Sequence, residues 1–488
     1  MALASSGSSM NYIAGSDRGE VLLLPEALED YLGPENPVRF IEAFVAHLDL
    51  GRAGFRNAQL KETGRPPYDP GDLLRLYLYG YLNRVRSSRG LEREAGRNLE
   101  VIWLLRKLRP DFKTIADFRR ENAVGIKAVC RDFTLLCRKL ELFGGELVAI
   151  DSTKIKAQNA KGRNYSAAKL VFLRAEVEKK VSAYLAELEE SDAQEATSET
   201  GVERLSAAEL KEKIGQLQER QSELRALAQD LEASGQSQVS LTDKDARAMS
   251  MGRGSTIGYN VQTAVDAKHS LIVATEVTNT TSDLGALGTM ALQAQEALGA
   301  EKLEVVADKG YYNGKEVLLC DAIGVTAYVA KPLTSANTAQ GLYGKESFTY
   351  DLSQNCYYCP AGKKLSYRFS TNELGRAISY YQASECQSCP LKAKCTRNKG
   401  NRRITRAAFE EVQERMAQRV ARNPRLMRRR KAIIEHCFGT IKRSLGYDYF
   451  LCRGKRAVST EVNLTVLAYN LKRACNLVGV PELIKAVS

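Results

Sequence analysis

The chain has 488 residues, of which 44% are hydrophobic and 26% are charged, as in an ordinary globular protein. No segment approaches the roughly 18 apolar residues of a membrane span, and residues 1–9 lack the basic region of a secretory signal, so a membrane or secreted protein is not expected. The 71 basic residues outnumber the 58 acidic ones, and the net charge of +13 favours a polyanionic partner such as nucleic acid.

Residues 1–140 have the pattern of a helical domain. Apolar residues recur at helical spacing over 73–81, after a Pro-rich entry at 64–70, and two further helices are predicted around 88–99 and 114–120. Short helices with exposed basic residues suit docking on DNA, although a solvated helical bundle explains any single arginine equally well. We therefore expect a helical N-terminal DNA-binding domain over residues 1–140.

The rest of the chain mixes strands with helices and predicts an α/β fold. The predicted strands are residues 147–151, 258–265, 271–277, 303–308 and 325–329. Apolar residues at intervals of three or four predict a helical hairpin over 160–240, inserted after the first strand, and structural packing is its simplest role. We expect a catalytic core whose first part is 141–335 and which a basic helical C-terminal part, 401–488, completes.

Three carboxylates are notable for their positions. Asp151 ends the first predicted strand, Asp308 ends the fourth, and Glu435 lies in the late basic helix. An acid at the end of an apolar run is costly unless it binds something, whereas solvation at the surface explains most other acids. Such strand ends meet at one edge of a mixed sheet, where carboxylate oxygens suit divalent cations that assist phosphodiester displacement. Asp266, in contrast, is interpreted as a hairpin-turn residue.

Basic residues are concentrated between residues 396 and 456. This segment has 18 Lys and Arg residues against 5 Asp and Glu residues, an excess of 13 that equals the net charge of the whole chain. A solvated charged face is the usual explanation of such a tract, but its position around Glu435 favours contact with phosphates. The candidate DNA-binding residues are Arg428, Arg429, Arg430, Lys431 and Lys442.

The eleven cysteines, without a secretory signal, indicate a reducing compartment and either metal binding or free thiols. Two C-x2-C pairs lie in an insertion at residues 336–400 and predict a tetrahedral, zinc-ribbon-like site. Its candidate ligands are Cys356, Cys359, Cys386 and Cys389. Cys395 is a fifth candidate that can replace one of the four, and reduced cysteines without a metal are the alternative.

Seven motifs, in this order, carry a resemblance to a known family. They are Gly64-Arg-Pro-Pro-Tyr-Asp-Pro70, Ser87-Ser-Arg89, Pro110-Asp-Phe-Lys-Thr-Ile115, Asp151-Ser-Thr-Lys154, Gly258-Tyr-Asn-Val-Gln262, Ala307-Asp-Lys-Gly-Tyr-Tyr312 and Glu435-His-Cys-Phe-Gly-Thr-Ile-Lys442. Together they resemble the DDE transposases of bacterial insertion sequences, in the broad group related to insertion sequences 4 and 5. The insertion sequence 1182 group is the branch that the chain resembles.

The resemblance implies an RNase H-like catalytic core in which Asp151, Asp308 and Glu435 bind two Mg²⁺ ions, which Mn²⁺ can replace. It implies a transposase that cleaves double-stranded DNA at terminal inverted repeats and joins the ends to target DNA. It further implies a homodimer or larger synaptic assembly, without a membrane partner, at the nucleoid in the bacterial cytoplasm. The alternatives are a related nuclease that cuts without joining and a catalytically silent, transposase-derived DNA-binding protein.

The chain departs from the wider group in one motif. That group has Tyr, Arg, Glu and Lys separated by two, three and six residues, and Glu435 and Lys442 fit this spacing. Arg428 stands at the Tyr position and Lys431 at the Arg position. Lysine keeps the charge of arginine but not its bidentate geometry, so the departure concerns how the DNA strands are held more than which residue is the third acid.

Overall fold

The computed structural model describes residues 27–59, 66–195, 206–251, 254–332, 336–373 and 376–488. The N-terminal residues 1–9 and the first two residues of the Pro-rich motif at 64–70 lie outside the described residues. In the described ranges, no helix is both long enough and apolar enough to cross a membrane.

Within the described residues, six α-helices precede the first strand, as predicted for the N-terminal region. They are α1 Pro37–Ala46, α2 Pro70–Leu82, α3 Ser88–Arg97, α4 Leu99–Leu104, α5 Phe112–Glu121 and α6 Ala123–Lys139. Helix α2 begins where the Asp69 carboxylate accepts a hydrogen bond of 2.7 Å from the backbone N–H of Gly71, and Pro70 in its first turn has no N–H to satisfy. Local capping chemistry therefore fixes the start of this helix.

The described residues contain thirteen strands in three sheets. The strands are β1 Leu147–Lys156, β2 Asn164–Ser166, β3 Gln238–Ser240, β4 Arg247–Met251, β5 Gly254–Asp266, β6 Ile272–Thr278, β7 Leu303–Ala307, β8 Val325–Val329, β9 Thr349–Asp351, β10 Cys356–Tyr358, β11 Lys364–Glu373, β12 Arg376–Ala383 and β13 Arg403–Ala407. The main sheet has the order β4–β5–β1–β7–β8, with β6 also paired to β5. Strands β1, β7 and β8 run parallel, whereas β5 is antiparallel to β1, β4 and β6, so the fold is mixed α/β.

All five predicted strands belong to this main sheet, but the first is longer than predicted. Strand β1 continues beyond Asp151 to Lys156, because its second half pairs with β5 from Ser152 opposite Gln262 to Lys156 opposite Gly258. There is no apolar run in this half, since residues 152–154 are polar and half-buried. Pairing with a neighbour, rather than burial, keeps this half of β1 extended.

Ten further helices surround the sheets in the part of the chain that the structure describes. They are α7 Ala167–Glu195, α8 Ala207–Ser234, α9 Leu287–Leu298, α10 Gly314–Ala322, α11 Ala336–Ala339, α12 Lys392–Cys395, α13 Glu410–Arg422, α14 Pro424–Gly439, α15 Lys455–Val478 and α16 Val480–Val487. One hydrophobic core joins the N-terminal helices to α14, α15, α16 and one face of the main sheet. A second core lies between the other face and α9, α10 and α13. Both faces of the main sheet are therefore covered.

A helical hairpin is inserted after β1, as predicted. Helices α7 and α8 pack along each other next to the two-stranded sheet of β2 and β3. Their small core of Tyr165, Leu170, Leu224 and Leu231 is separate from the two cores of the main sheet. The hairpin thus packs mainly against itself.

The cysteine-bearing insertion contains a small sheet, in the order β13–β12–β11–β10–β9, that the sequence pattern did not predict. All its pairings are antiparallel, and β13 extends it to Ala407. Its six buried apolar residues are Phe348, Tyr357, Leu365, Tyr381, Ala383 and Ile404. Most side chains of β11 are exposed, so its sequence lacks the alternation that would identify a half-buried strand.

Candidate active site

The parallel pairing of β1 with β7 brings Asp151 and Asp308 side by side. The ladder ends with Ile150 opposite Ala307, and the next residue on each strand is one of the two aspartates. The chain turns away after β7. Both carboxylates therefore lie at the edge of the main sheet where the pairing of β1 with β7 ends. The expected meeting of these two strand-end acids is therefore present in the structure.

Asp151 is held by an ion pair that the sequence did not indicate. Its Oδ2 accepts a hydrogen bond of 2.6 Å from Nη1 of Arg430 on α14, and the side chains of Asp151 and Arg430 are only 24% and 19% exposed. The backbone N–H of Ser152 donates to Oδ1 at 2.8 Å. Burial raises the pKa of Asp151 and the charge of Asp308 acts in the same direction, while Ser152 and Arg430 oppose the shift.

Asp308 caps the short turn that follows β7. Its Oδ1 accepts a hydrogen bond of 2.6 Å from the backbone N–H of Gly310. A Cβ atom at Gly310 would lie 2.8 Å from this oxygen and 3.7 Å from Oδ2 of Asp283. The missing side chain of Gly310 thus leaves room for the Asp308 carboxylate, and the Asp283 carboxylate lies near the same point of the backbone.

Two buried amides of β5 orient Asp283. Oδ1 of Asp283 accepts hydrogen bonds from Nδ2 of Asn260 at 2.7 Å and from Nε2 of Gln262 at 2.6 Å. The Gln262 amide oxygen in turn accepts a hydrogen bond from the hydroxyl of Tyr311. Asn260, Gln262 and Tyr311 are all buried, so this network has a fixed geometry.

The buried hydroxyl of Tyr311 is influenced by all three aspartates. Burial raises the pKa of the Tyr311 hydroxyl most, and the negative charges of Asp283, Asp151 and Asp308 raise it further. Three carboxylates therefore act on one buried phenol. Such a concentration of negative charge favours a bound cation.

Glu435, the third expected acid, lies apart from this group. Helix α14 packs against β1 and β7, but the Glu435 side chain is 66% exposed and its Oε1 lies 3.6 Å from Nζ of Lys431. In the part of the chain that the structure describes, no basic side chain bridges Glu435 to Asp151 or Asp308. From α14, Arg430 rather than Glu435 reaches the aspartates.

The basic residues proposed for DNA contact fall into two groups. Arg428, Arg429 and Lys431 are exposed on α14, where phosphates can reach them. Arg430 is instead engaged by Asp151, and Lys442 donates a hydrogen bond of 3.1 Å to the backbone oxygen of Lys154, with burial lowering the pKa of its ammonium group. The five residues thus do not form one free charged face.

The structure places the five candidate cysteines in two environments. Cys359, Cys386, Cys389 and Cys395 line one small cavity, whereas Cys356 is fully buried within β10 and does not line it. Cys395, the expected substitute, takes the place of Cys356. Among the described residues, no three His, Cys, Asp or Glu side chains have the arrangement of a formed metal site.

Sequence reasoning missed Asp283 and the role of Arg430. Asp283 lies in a polar stretch after β6 that resembles any loop. The predicted β5–β6 hairpin could have indicated it. Thr278, the last residue of β6, pairs with Asn260, so the chain after β6 starts next to the amide side chains of β5. No local signal marks Arg430, since its neighbours Arg428 and Arg429 are equally basic.

Comparison with protein families gives two matches. Residues 26–121 match a family described as a transposase domain of the DUF772 type, and residues 358–475 match the transposase DDE domain. The second match includes Glu435 but neither Asp151 nor Asp308. No curated protein matches the chain.

Among solved structures, the synaptic complex of a piggyBac transposase with hairpin DNA is similar to the chain at 7% identity, with a TM-score of 0.31 over 93% of this chain and 79% of that one. A similarity this weak carries no argument about this protein. The two transposase domains, matched at opposite ends of the chain, do. They indicate an insertion-sequence DDE transposase, an enzyme of DNA cleavage and strand transfer.

Proposed function

We propose that Asp151, Asp308 and Glu435 are the catalytic acids of an RNase H-like core and bind two Mg²⁺ ions, which Mn²⁺ can replace. The observation that carries this proposal is the β1–β7 ladder, which ends one residue before each aspartate. The mixed sheet with parallel β1, β7 and β8, covered on both faces, supports the assignment of the core.

The residues at this edge suit a hard divalent cation. Burial and the charge of Asp308 both disfavour the ionised form of Asp151. A cation between the two carboxylates would therefore lower the free energy needed to keep Asp151 ionised. Asp283 adds a third carboxylate beside Gly310. When bound, two such ions supply charge stabilisation to the attacking and leaving oxygens of a phosphodiester displacement.

We propose that Arg430 and Glu435 are alternative partners of the aspartates at this edge of the main sheet. Both lie on α14, which packs against β1 and β7, and Arg430 neutralises Asp151 by its ion pair. Asp151 and Asp308 would hold a cation together with Glu435 as the third acid, and Arg430 would then give up its ion pair with Asp151. Glu435 is free to act as the third acid because its only ion pair among the described residues is an exposed one with Lys431.

The proposed reaction has two phosphoryl transfers. In the first, a water oxygen bonds to phosphorus at the element end and the bond from phosphorus to the 3′ oxygen breaks, which frees a 3′ hydroxyl. In the second, that hydroxyl attacks a phosphodiester of target DNA in line and displaces the target's own 3′ oxygen. Neither step forms a covalent bond to the protein, so the carboxylates serve throughout as ligands and positioning groups.

The partners follow from this reaction. The expected substrates are the terminal inverted repeats of the element and target DNA, held by the exposed basic residues of α14 in a homodimer or larger synaptic assembly at the nucleoid. Membership of the insertion sequence 1182 group fits the two matched domains. A zinc ion at the cysteines would take no part in the chemistry, because a closed four-cysteine site has no open coordination position.

A strand-transfer assay tests the proposal. The purified chain is incubated with Mg²⁺, labelled DNA carrying the two ends of its element, and an unlabelled target plasmid. We expect the label to appear covalently joined to the target. Cleavage without joining would instead indicate the nuclease alternative, and binding without cleavage would indicate a catalytically silent protein.

A further inference from the structure

We propose that Cys359, Cys386, Cys389 and Cys395 bind one zinc ion, which fastens the small sheet of β9–β13 to the segment around α12, and that Cys356 is not a ligand. This site lies outside the catalytic centre and does not depend on how the carboxylates act.

The first argument is that one cavity collects these four side chains. The cavity has a volume of about 20 Å³, and Leu365 and Ala383 of the small sheet form part of its wall. A cavity needs about 10–15 Å³ to hold a single water molecule, so this one has room for one ion. Four thiolates around one ion make up the tetrahedral sulfur environment that zinc prefers.

The second argument is that the backbone already donates to two of the sulfur atoms. The N–H of Lys363 lies 3.3 Å from Sγ of Cys359, and the N–H of Arg402 lies 3.3 Å from Sγ of Cys386. Hydrogen bonds of this kind orient the ligands of a metal site.

A tight turn presents Cys359 to the cavity. The backbone N–H of Gly362 donates to the oxygen of Cys359 at 2.8 Å, and the N–H of Cys359 donates to the oxygen of Lys363 at 2.9 Å. Gly362 has a φ of +70°, which a residue with a side chain adopts only with strain. The turn therefore holds the Cys359 backbone in place before any metal binds.

The third argument is that the small core and one turn gather the four side chains. Cys359, Cys386 and Cys395 are partly buried and pack against the apolar core of the small sheet. Cys389 lies in the same turn as Cys386, since its backbone N–H donates to the oxygen of Cys386 at 3.4 Å.

Cys356 is excluded by the geometry of its strand. It pairs with Asp351 on one side and Ser366 on the other, and alternation along β10 puts its side chain on the face opposite Tyr357. Tyr357 belongs to the small core against which three of the proposed ligands pack. Cys356 therefore faces away from the cavity.

The small sheet also has a physical need for such an ion. Its core has only six buried apolar residues, and a unit this small gains little free energy from burial alone. A structural zinc ion contributes its binding free energy directly to folding. The ion would hold α12 and the Cys386–Cys389 turn against the sheet.

Elemental analysis of the purified full-length chain, prepared under reducing conditions, tests the proposal. We expect about one zinc per chain, as for a single four-cysteine site. The matched variants are Cys395→Ser, which should lose the zinc, and Cys356→Ser, which should retain it. Zinc lost from Cys356→Ser but kept in Cys395→Ser would overturn the ligand assignment, and iron in place of zinc would overturn the metal.

A second measurement on the unaltered chain guards against misfolding of Cys395→Ser. Alkylation followed by peptide mass mapping should show Cys359, Cys386, Cys389 and Cys395 protected in the purified protein and modified together after treatment with a chelator. Equal modification with and without the chelator would show that no metal protects them, and the proposal would then be wrong.

Discussion

The main sheet and the small sheet of this transposase stabilise their strands in different ways. The main sheet is covered on both faces by large hydrophobic cores, and it can keep carboxylates such as Asp151 partly buried at its edge. The small sheet has six buried apolar residues, and aromatic side chains of β11 such as Tyr367 and Phe369 are about half exposed. A large core can bear the cost of gathered charges, whereas a small one needs an additional constraint such as a bound metal.

The largest expected effect is at the charged edge of the main sheet. Asp308→Asn keeps the size of the side chain but removes a charge that the metals require, so cleavage and joining should fall by about 10³-fold. Binding to element ends should persist, because phosphate contacts come from α14. Labelled-end cleavage and a binding titration measure the two effects.

The control for that variant is Asp266→Asn, at the C-terminal end of β5. The buried Asp266 carboxylate accepts hydrogen bonds from the backbone N–H groups of Gly144, Gly145 and Lys268, which agrees with its interpretation as a turn residue. This variant should lose about 1–3 kcal/mol of stability and still cleave DNA where it remains folded. An inactive, folded Asp266→Asn beside an active Asp308→Asn would contradict the assignment of the second acid.

The next effect contrasts the two sheets directly. Leu365→Ala removes a fully buried side chain from the small sheet and should cost about 2–5 kcal/mol. Because the core of the small sheet is separate from the cores of the main sheet, hydrogen exchange should rise mainly over residues 349–407. Leu303→Ala in the main sheet is the matched change, because Leu303 is also a buried leucine, and it should raise exchange in the helices that pack on its core. Equal, chain-wide effects of the two variants would remove the distinction between the sheets.

A smaller effect is expected at Asp283. It tests whether the metal site includes a carboxylate besides the three proposed acids. Asp283→Asn retains one carbonyl oxygen for the amides of Asn260 and Gln262 but lacks the charge beside Asp308. We expect a loss of cleavage of about 10- to 100-fold and a higher Mg²⁺ concentration for half-maximal rate. An unchanged Mg²⁺ dependence would limit Asp283 to a structural role.

The smallest expected effect separates two adjacent arginines. Arg429 is exposed, so Arg429→Gln should lower the slope of log affinity against log salt by about one unit. Arg430 is paired with Asp151, so Arg430→Gln should leave that slope nearly unchanged. Filter binding over a series of salt concentrations measures both slopes, and equal losses would mean that Arg430 also contacts phosphate in the complex.

Local patterns in the sequence determined five strands of the main sheet and the positions of two acids. The apolar runs that became β6, β7 and β8 are buried against the cores of the main sheet, and such burial leaves a direct record in the residues themselves. Asp151 and Asp308 could be identified because each carboxylate interrupts or ends such a run. The helical hairpin was predictable for the same reason, since its leucines recur at helical spacing.

The tertiary structure decided which side chains meet. Asp283 lies beside Gly310, as Asp308 does, only because of the register of the β5–β6 hairpin. Arg430 rather than Arg429 contacts Asp151 because of how α14 lies on the sheet. The proposed exclusion of Cys356 from the zinc site likewise rests on its position in β10. Burial of an apolar segment is a property of neighbouring residues, whereas these contacts join residues far apart in the chain, and only the packed fold specifies them.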